Sequence, residues 1–160
     1  MTIQVGEKIP SLTLQHKTDE GVSDISTDEI FGGKRVVLFA LPGAFTPTCS
    51  AAHLPGYVVK ADELKAKGID RIVCLSVNDA HVMKAWGDLQ NVEERIMMIA
   101  DGSCRFTHAV GLELDRNEGG MGIRSQRYAM IVNDGVVELL NVEAPLKFEV
   151  SDADTILNSL

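Results

Sequence analysis

At 160 residues the chain suits one compact domain, 1–160, and leaves little room for a second. A hydrophobic content of 45% can bury a core without metal or disulfide staples, and a net charge of −8 with no dense Lys/Arg patch speaks against a nucleic-acid binder. No apolar run approaches the ~20 residues of a membrane span, and Met1-Thr2-Ile3-Gln4-Val5-Gly6-Glu7-Lys8 has neither the order of a secretory leader nor the composition of a transit peptide, so the expected location is cytoplasmic.

Ser11-Leu12-Thr13-Leu14-Gln15 alternates polar and apolar residues as a half-buried strand does, and Glu20-Gly21-Val22 can turn it back into a hairpin. Arg35 to Leu41 is a β-rich apolar run, read as a central strand buried on both faces. Pro42-Gly43 breaks it, and a helix starts between Thr46 and Cys49. Leu54, Tyr57, Val58, Ala61 and Leu64 give that helix one apolar face, Pro55 predicts a kink and Gly68 an end. Arg71 to Val77 is a second buried strand. Asn78 or Asp79 caps a helix whose predicted core face is Val82, Trp86 and Leu89.

Arg95 to Ala100 reads as a short strand, followed by a short helix ending near Gly111 and a Gly- and charge-rich surface loop from Glu113 to Ile123. Tyr128–Val132 and Val136–Val142 flank Asn133-Asp134-Gly135, a hairpin signal, and Ser151 with Asp154 opens a C-terminal helix. Early strand–helix alternation implies a parallel segment and the late hairpin adds antiparallel strands. The predicted architecture is therefore α/β and thioredoxin-like: a mixed central sheet flanked by helices, with an N-terminal β-hairpin.

The three cysteines, Cys49, Cys74 and Cys104, are few and odd in number, which fits a reducing compartment. None forms a C-x-x-C pair, and no Cys/His spacing resembles a zinc site, so neither metal nor cofactor is expected. Cys49 stands in the first turn of a helix after a central strand, where unpaired N–H groups and the helix dipole favour a thiolate. Thr46 can bring its hydroxyl beside the sulfur, and Pro42 and Pro47 stiffen the loop. Taken singly, Cys49 could be a buried hydrophobe, Thr46 a cap and Pro42 a strand terminator.

Together, Pro42-Gly43-Ala44-Phe45-Thr46-Pro47-Thr48-Cys49 carries the P-x-x-x-T-x-x-C signature of the peroxiredoxins. The chain resembles their atypical type II branch, which includes the fifth mammalian subfamily and the plant type II enzymes. The resemblance runs on through Ser50-Ala51-Ala52-His53-Leu54-Pro55-Gly56, Ser76-Val77-Asn78-Asp79, Met83-Lys84-Ala85-Trp86, Ala100-Asp101-Gly102-Ser103 and Arg124-Ser125-Gln126-Arg127-Tyr128-Ala129-Met130. It implies a thiol peroxidase acting on hydrogen peroxide and small alkyl hydroperoxides, an antioxidant role in cell redox homeostasis, and a homodimer. Cys49 matches the peroxidatic cysteine and Thr46 the hydroxyl that bonds sulfur and peroxide. Pro42 matches the residue that shields the sulfur, and Arg127 the active-site arginine; read alone, Arg127 would be a charge at a strand edge.

The expected product is the Cys49 sulfenic acid. The stretch Pro145-Leu146-Lys147-Phe148-Glu149-Val150, where mammalian members place a second thiol, has no cysteine. Cys74 stands where plant members have theirs, yet lies within a buried run, and Cys104 matches no family role. A one-cysteine cycle closed by an external thiol follows, with glutathione and glutaredoxin or thioredoxin as reductant. A redox sensor or relay on the same fold is the alternative function; a thiol–disulfide oxidoreductase is disfavoured without C-x-x-C. His53 is expected to shape the mouth of the pocket, and Leu41, Phe45 and Trp86 to supply apolar surface at the site or at a dimer contact.

Overall fold

The computed structural model describes residues 1–160. Two antiparallel strands, β1 (Thr13–Thr18) and β2 (Gly21–Ser26), open the fold, and a short helix α1 (Thr27–Phe31), capped by Ser26, follows them. Next come β3 (Arg35–Ala40), a π-helical turn at Cys49–His53 running into α2 (Leu54–Ala66), β4 (Arg71–Ser76), α3 (Ala80–Leu89), β5 (Met97–Ala100) and α4 (Arg105–Ala109). A separate ribbon of β6 (Glu113–Arg116) and β7 (Gly122–Ser125) precedes the hairpin β8 (Tyr128–Asn133) and β9 (Val136–Val142), and α5 (Ala153–Asn158) ends the fold.

The strand order β2-β1-β5-β4-β3-β8-β9 makes one mixed, thioredoxin-like sheet. β3, β4 and β5 are parallel; β8 lies antiparallel to β3, and β9 antiparallel to β8. β3 sits centrally because both of its faces are apolar. Val37 and Phe39 feed a core under α2, α3 and α5, while Val36, Leu38 and Ala40 feed a second core with Ile30, Phe31, Phe106 and Val110. Each large apolar side chain so buried contributes about 1.5–3 kcal/mol. The β8–β9 turn carries positive φ at Asp134 (47°) and Gly135 (80°), the left-handed pair that a two-residue hairpin turn requires.

Four expectations are corrected. The segment from Glu113 to Ile123 is the β6–β7 ribbon with a 3₁₀ turn at its tip, not a loop, although the ribbon is separate from the main sheet. The core face of α3 is Ala80, Met83, Trp86 and Gly87; Leu89 is 65% exposed. Gly87 permits this rotation, since a Cβ there would come within 2.9 Å of Met98. Pro55 produces a wide turn ahead of it, with the Leu54 N–H bonded back to the Cys49 carbonyl, in place of a sharp kink. At the C-terminus Asp152 caps α5, and Ser151 is buried one residue earlier.

Candidate active site

Topology brings the site together at one end of the sheet. The loop after β3 leaves the carboxyl end of a central strand, the end at which open α/β sheets bind ligands, between parallel β4 and antiparallel β8. Because β8 is antiparallel to β3, with Ala40 opposite Tyr128, the residue entering β8 lies beside the chain leaving β3. That residue is Arg127. By the same logic β9 ends beside Arg127, and the Glu143 N–H donates to the Arg127 carbonyl at 2.9 Å.

The loop carrying Cys49 is pinned from several sides. Asn78, following β4, accepts from the Ala44 N–H at 3.0 Å and from the Ser76 hydroxyl at 2.7 Å. Arg124 donates to the carbonyls of Met121 and Val77, and its guanidinium lies where a Cβ on Gly43 would meet it at 3.3 Å. Phe45 takes φ +65°, a strained value for an aromatic residue, and sets its ring against Trp86 at 6.4 Å. Trp86 in turn donates to the Ser50 hydroxyl, which fixes the first turn of the Cys49 helix. Leu41 lies wholly in the core and Phe45 is half-exposed.

Cys49 is fully buried, and Arg127 Nη2 donates to its Sγ at 3.2 Å. Arg127 Nη1 donates to His53 Nδ1 at 2.8 Å, which assigns the ring proton to Nε2, and Nε2 donates to the Ser151 carbonyl at 3.1 Å. His53 is therefore no rim residue. It is fully buried between Phe39 and Phe148, with ring centroids at 5.1 and 4.9 Å. Burial, with the Arg127 charge, lowers its pKa to about 3, so the ring is neutral and free to accept from a guanidinium.

Thr46 donates its hydroxyl proton to the Gly43 carbonyl at 2.7 Å and makes no hydrogen bond to the sulfur, contrary to the expected contact. Pro42 and Thr46 instead line a cleft of about 550 Å³, together with Thr48, Arg116, Arg127 and Phe148. Phe148 caps the Arg127 guanidinium at 5.7 Å. The cleft's one carboxylate, Glu143, is committed to neighbouring N–H groups, whereas Arg116 and Lys147 in its wall make no ion pair.

The redoxin family profile matches residues 4–157. Peroxiredoxin-2C of Arabidopsis thaliana is 46% identical over 159 residues, 99% of this chain and 98% of its own length. The chain belongs to the peroxiredoxin family. Peroxiredoxins are thiol-dependent peroxidases, and this peroxiredoxin is one. Its fold matches reduced Prx3 from Vibrio vulnificus, solved in complex with hydrogen peroxide, at 60% identity and a TM-score of 0.95 over 99% of both chains. Peroxiredoxin 5 from Alvinella pompejana matches at 33% identity and a TM-score of 0.87, over 98% of this chain and 97% of that one. The chain is thus type II-like in sequence and close to the fifth subfamily in fold.

Acid stability reports on the buried imidazole. A base whose pKa is lower in the folded than in the unfolded chain takes its proton preferentially on unfolding, so stability is intact above the unfolded value and lost as pH falls. For His53 that window runs from 6.5 down to about 3, and the loss there is expected to reach about 1.4 kcal/mol per pH unit. Glu143 adds to the loss below its unfolded value of 4.5. Burial opposes its ionisation, but hydrogen bonds from Ser151, Glu149 and Val150 outweigh that and hold its carboxyl below the usual range. Denaturant unfolding at a series of pH values should show the His53 slope in the wild type and a flatter curve for His53→Gln. Parallel curves would assign the slope elsewhere.

Proposed function

We propose that Cys49 is the peroxidatic nucleophile of this enzyme and that Arg127, Thr46 and Pro42 form its immediate machinery, within a single domain spanning residues 1–160. The observation that carries the reading is the Arg127 guanidinium at 3.2 Å from Cys49 Sγ beside an enterable cleft. The sulfur attacks one oxygen of a hydroperoxide in line; the O–O bond breaks, Cys49 gains that oxygen as a sulfenic acid, and the other oxygen leaves as alkoxide or hydroxide and takes a proton. Negative charge spreads over sulfur and both oxygens in the transition state. A guanidinium already aimed at the sulfur stabilises that charge without having to reorganise. Thr46, its own proton given to Gly43, presents lone pairs that accept the substrate's O–H and hold the O–O bond in line. Pro42 supplies an apolar wall with no N–H to bind water.

Hydrogen peroxide and small alkyl hydroperoxides suit a cleft of this volume. An external thiol closes the cycle: it attacks the sulfenic sulfur, expels water and leaves a mixed disulfide, which a second thiol reduces to regenerate Cys49. Cys74 is a poor internal substitute. It lies mid-strand in β4, hydrogen-bonded between β3 and β5, and burial, with the charge of Cys49, pushes its thiol well up. Burial and the Asp101 and Glu113 carboxylates likewise raise Cys104. Arg116 and Lys147, without ion-pair partners in the cleft wall, can receive the carboxylates of glutathione, a tripeptide small enough to enter; thioredoxin is the alternative reductant.

Three free cysteines suit a reducing compartment such as the cytoplasm. The exposed Phe45 beside the cleft, and Leu146 at 98% exposure on its rim, offer apolar surface for a homodimer contact. The cycle is tested by making Cys74→Ser and Cys104→Ser together and assaying turnover with glutathione and glutaredoxin, then with thioredoxin. Turnover is expected to survive with at least one donor. Its loss with every donor, while one equivalent of peroxide is still consumed, would refute the one-cysteine cycle and favour a stoichiometric sensor.

A further inference from the structure

Glu143 is 8% exposed and its carboxylate makes no ion pair, an arrangement a fold tolerates only where hydrogen bonds replace water. Five bonds do so. The N–H groups of Glu149 and Val150 donate to it at 2.9 Å, Glu149 to both oxygens, and Ser151 donates its N–H at 2.8 Å and its hydroxyl at 2.7 Å. The carboxylate therefore clasps the strap Ala144–Val150 back onto the end of β9, and Phe148 of that strap covers both Arg127 and His53.

What Glu143 grips leads to the reacting sulfur in three steps. Ser151, held by its N–H and hydroxyl, turns its carbonyl inward, where it accepts from Tyr57 at 2.7 Å and from His53 Nε2 at 3.1 Å. The carbonyl fixes which imidazole nitrogen carries the proton, and so leaves Nδ1 bare toward Arg127. Nδ1 then holds one arm of the guanidinium at 2.8 Å while the other arm reaches Cys49 Sγ at 3.2 Å. Glu143 also fixes the backbone of Arg127 by donating its own N–H to the Arg127 carbonyl.

We propose that Glu143 is a positioning residue for the peroxidase step, acting through Ser151 and His53 to aim the Arg127 guanidinium at the Cys49 sulfur. This rests on the reading of Cys49 and Arg127 given above. Arg127 has a flexible side chain and a half-buried position, so its direction is set by what grips it. A shift of an ångström in a preorganised donor is enough to cost about a hundredfold in rate.

Glu143→Gln keeps the shape but replaces an acceptor with an amide donor facing the Glu149, Val150 and Ser151 N–H groups. Oxidation of Cys49 by hydrogen peroxide, followed by stopped flow, is expected to slow about tenfold to a hundredfold. Alkylation of Cys49 by iodoacetamide, which breaks no O–O bond, is expected to hold its rate or rise. In an Arg127→Gln background the same substitution should have no further effect on peroxide oxidation, because its route to the sulfur is already cut. Equal slowing toward both reagents, additive effects in the double variant, or an unchanged peroxide rate would each overturn the proposal. If Glu143→Gln does not fold, Glu143→Asp, which keeps the charge but shortens its reach to the same N–H groups by one methylene, is read by the same criteria. Should Arg127→Gln alone leave the peroxide rate untouched, the underlying reading of Arg127 fails, an outcome distinct from failure at Glu143 alone.

Discussion

Cys49→Ser is expected to lower peroxide turnover by at least about a thousandfold, to the level of the reductant alone. A serine hydroxyl has no two-electron oxidation comparable to that of a thiol, and as a neutral alcohol it is a weak nucleophile. The remaining thiols do not substitute for it, since Cys74 is sealed inside the sheet and both Cys74 and Cys104 are held as thiols by burial and neighbouring charge. The variant should fold, because the exchange nearly conserves volume and Arg127 remains as a partner for the new hydroxyl; loss of stability should stay within about 1–2 kcal/mol. A coupled assay with a thiol donor, with circular dichroism as the folding control, reads both effects. Substantial turnover in the folded variant would move the chemistry to another cysteine.

Arg127→Gln should slow the reaction of Cys49 with peroxide by about a hundredfold to a thousandfold, the usual cost of removing one preorganised donor. The amide carries no charge, and one shorter NH2 group replaces the two separate nitrogens with which the guanidinium reaches His53 and Cys49 at 2.8 and 3.2 Å. Arg127→Lys is expected to recover little. Its ammonium supplies a point charge, but not the planar fork that spans imidazole and sulfur. Second-order rate constants with hydrogen peroxide under single-turnover conditions decide this. A lysine variant as fast as the wild type would show that charge alone suffices and that direction does not matter.

How much of the site is legible in the sequence depends on where its information lies. The β3 run and the Asn133-Asp134-Gly135 turn are local signals, dictated by burial on two faces and by positive φ, and both elements stand where expected. The loop before Cys49 is equally local. Resemblance alone identifies Arg127, because strand pairing brings it to Cys49 from 78 residues away. His53 lies deeper than its sequence spacing implies, for a related reason. Its spacing from Cys49 puts it on the same helix, but the π-helical turn changes which way it faces, and the partners that bury it, Phe148 and Ser151, come from the C-terminal segment. Glu143 left no mark in the sequence, since an acidic residue after a strand looks like any solvated end. Gly119 and Gly120 at its turn, and strands too short and too charged to alternate visibly, hide the β6–β7 ribbon.

In the proposed chemistry one buried sulfur, aimed at by one guanidinium, takes the oxygen from the peroxide. The direct test is to treat the reduced protein with one equivalent of hydrogen peroxide, trap sulfenic acid with dimedone at timed intervals, and map the labelled peptide by mass spectrometry. Label is expected on Cys49 alone, appearing quickly in the wild type and slowly in Arg127→Gln. Label on Cys74 or Cys104, or equal rates in the two proteins, would contradict it.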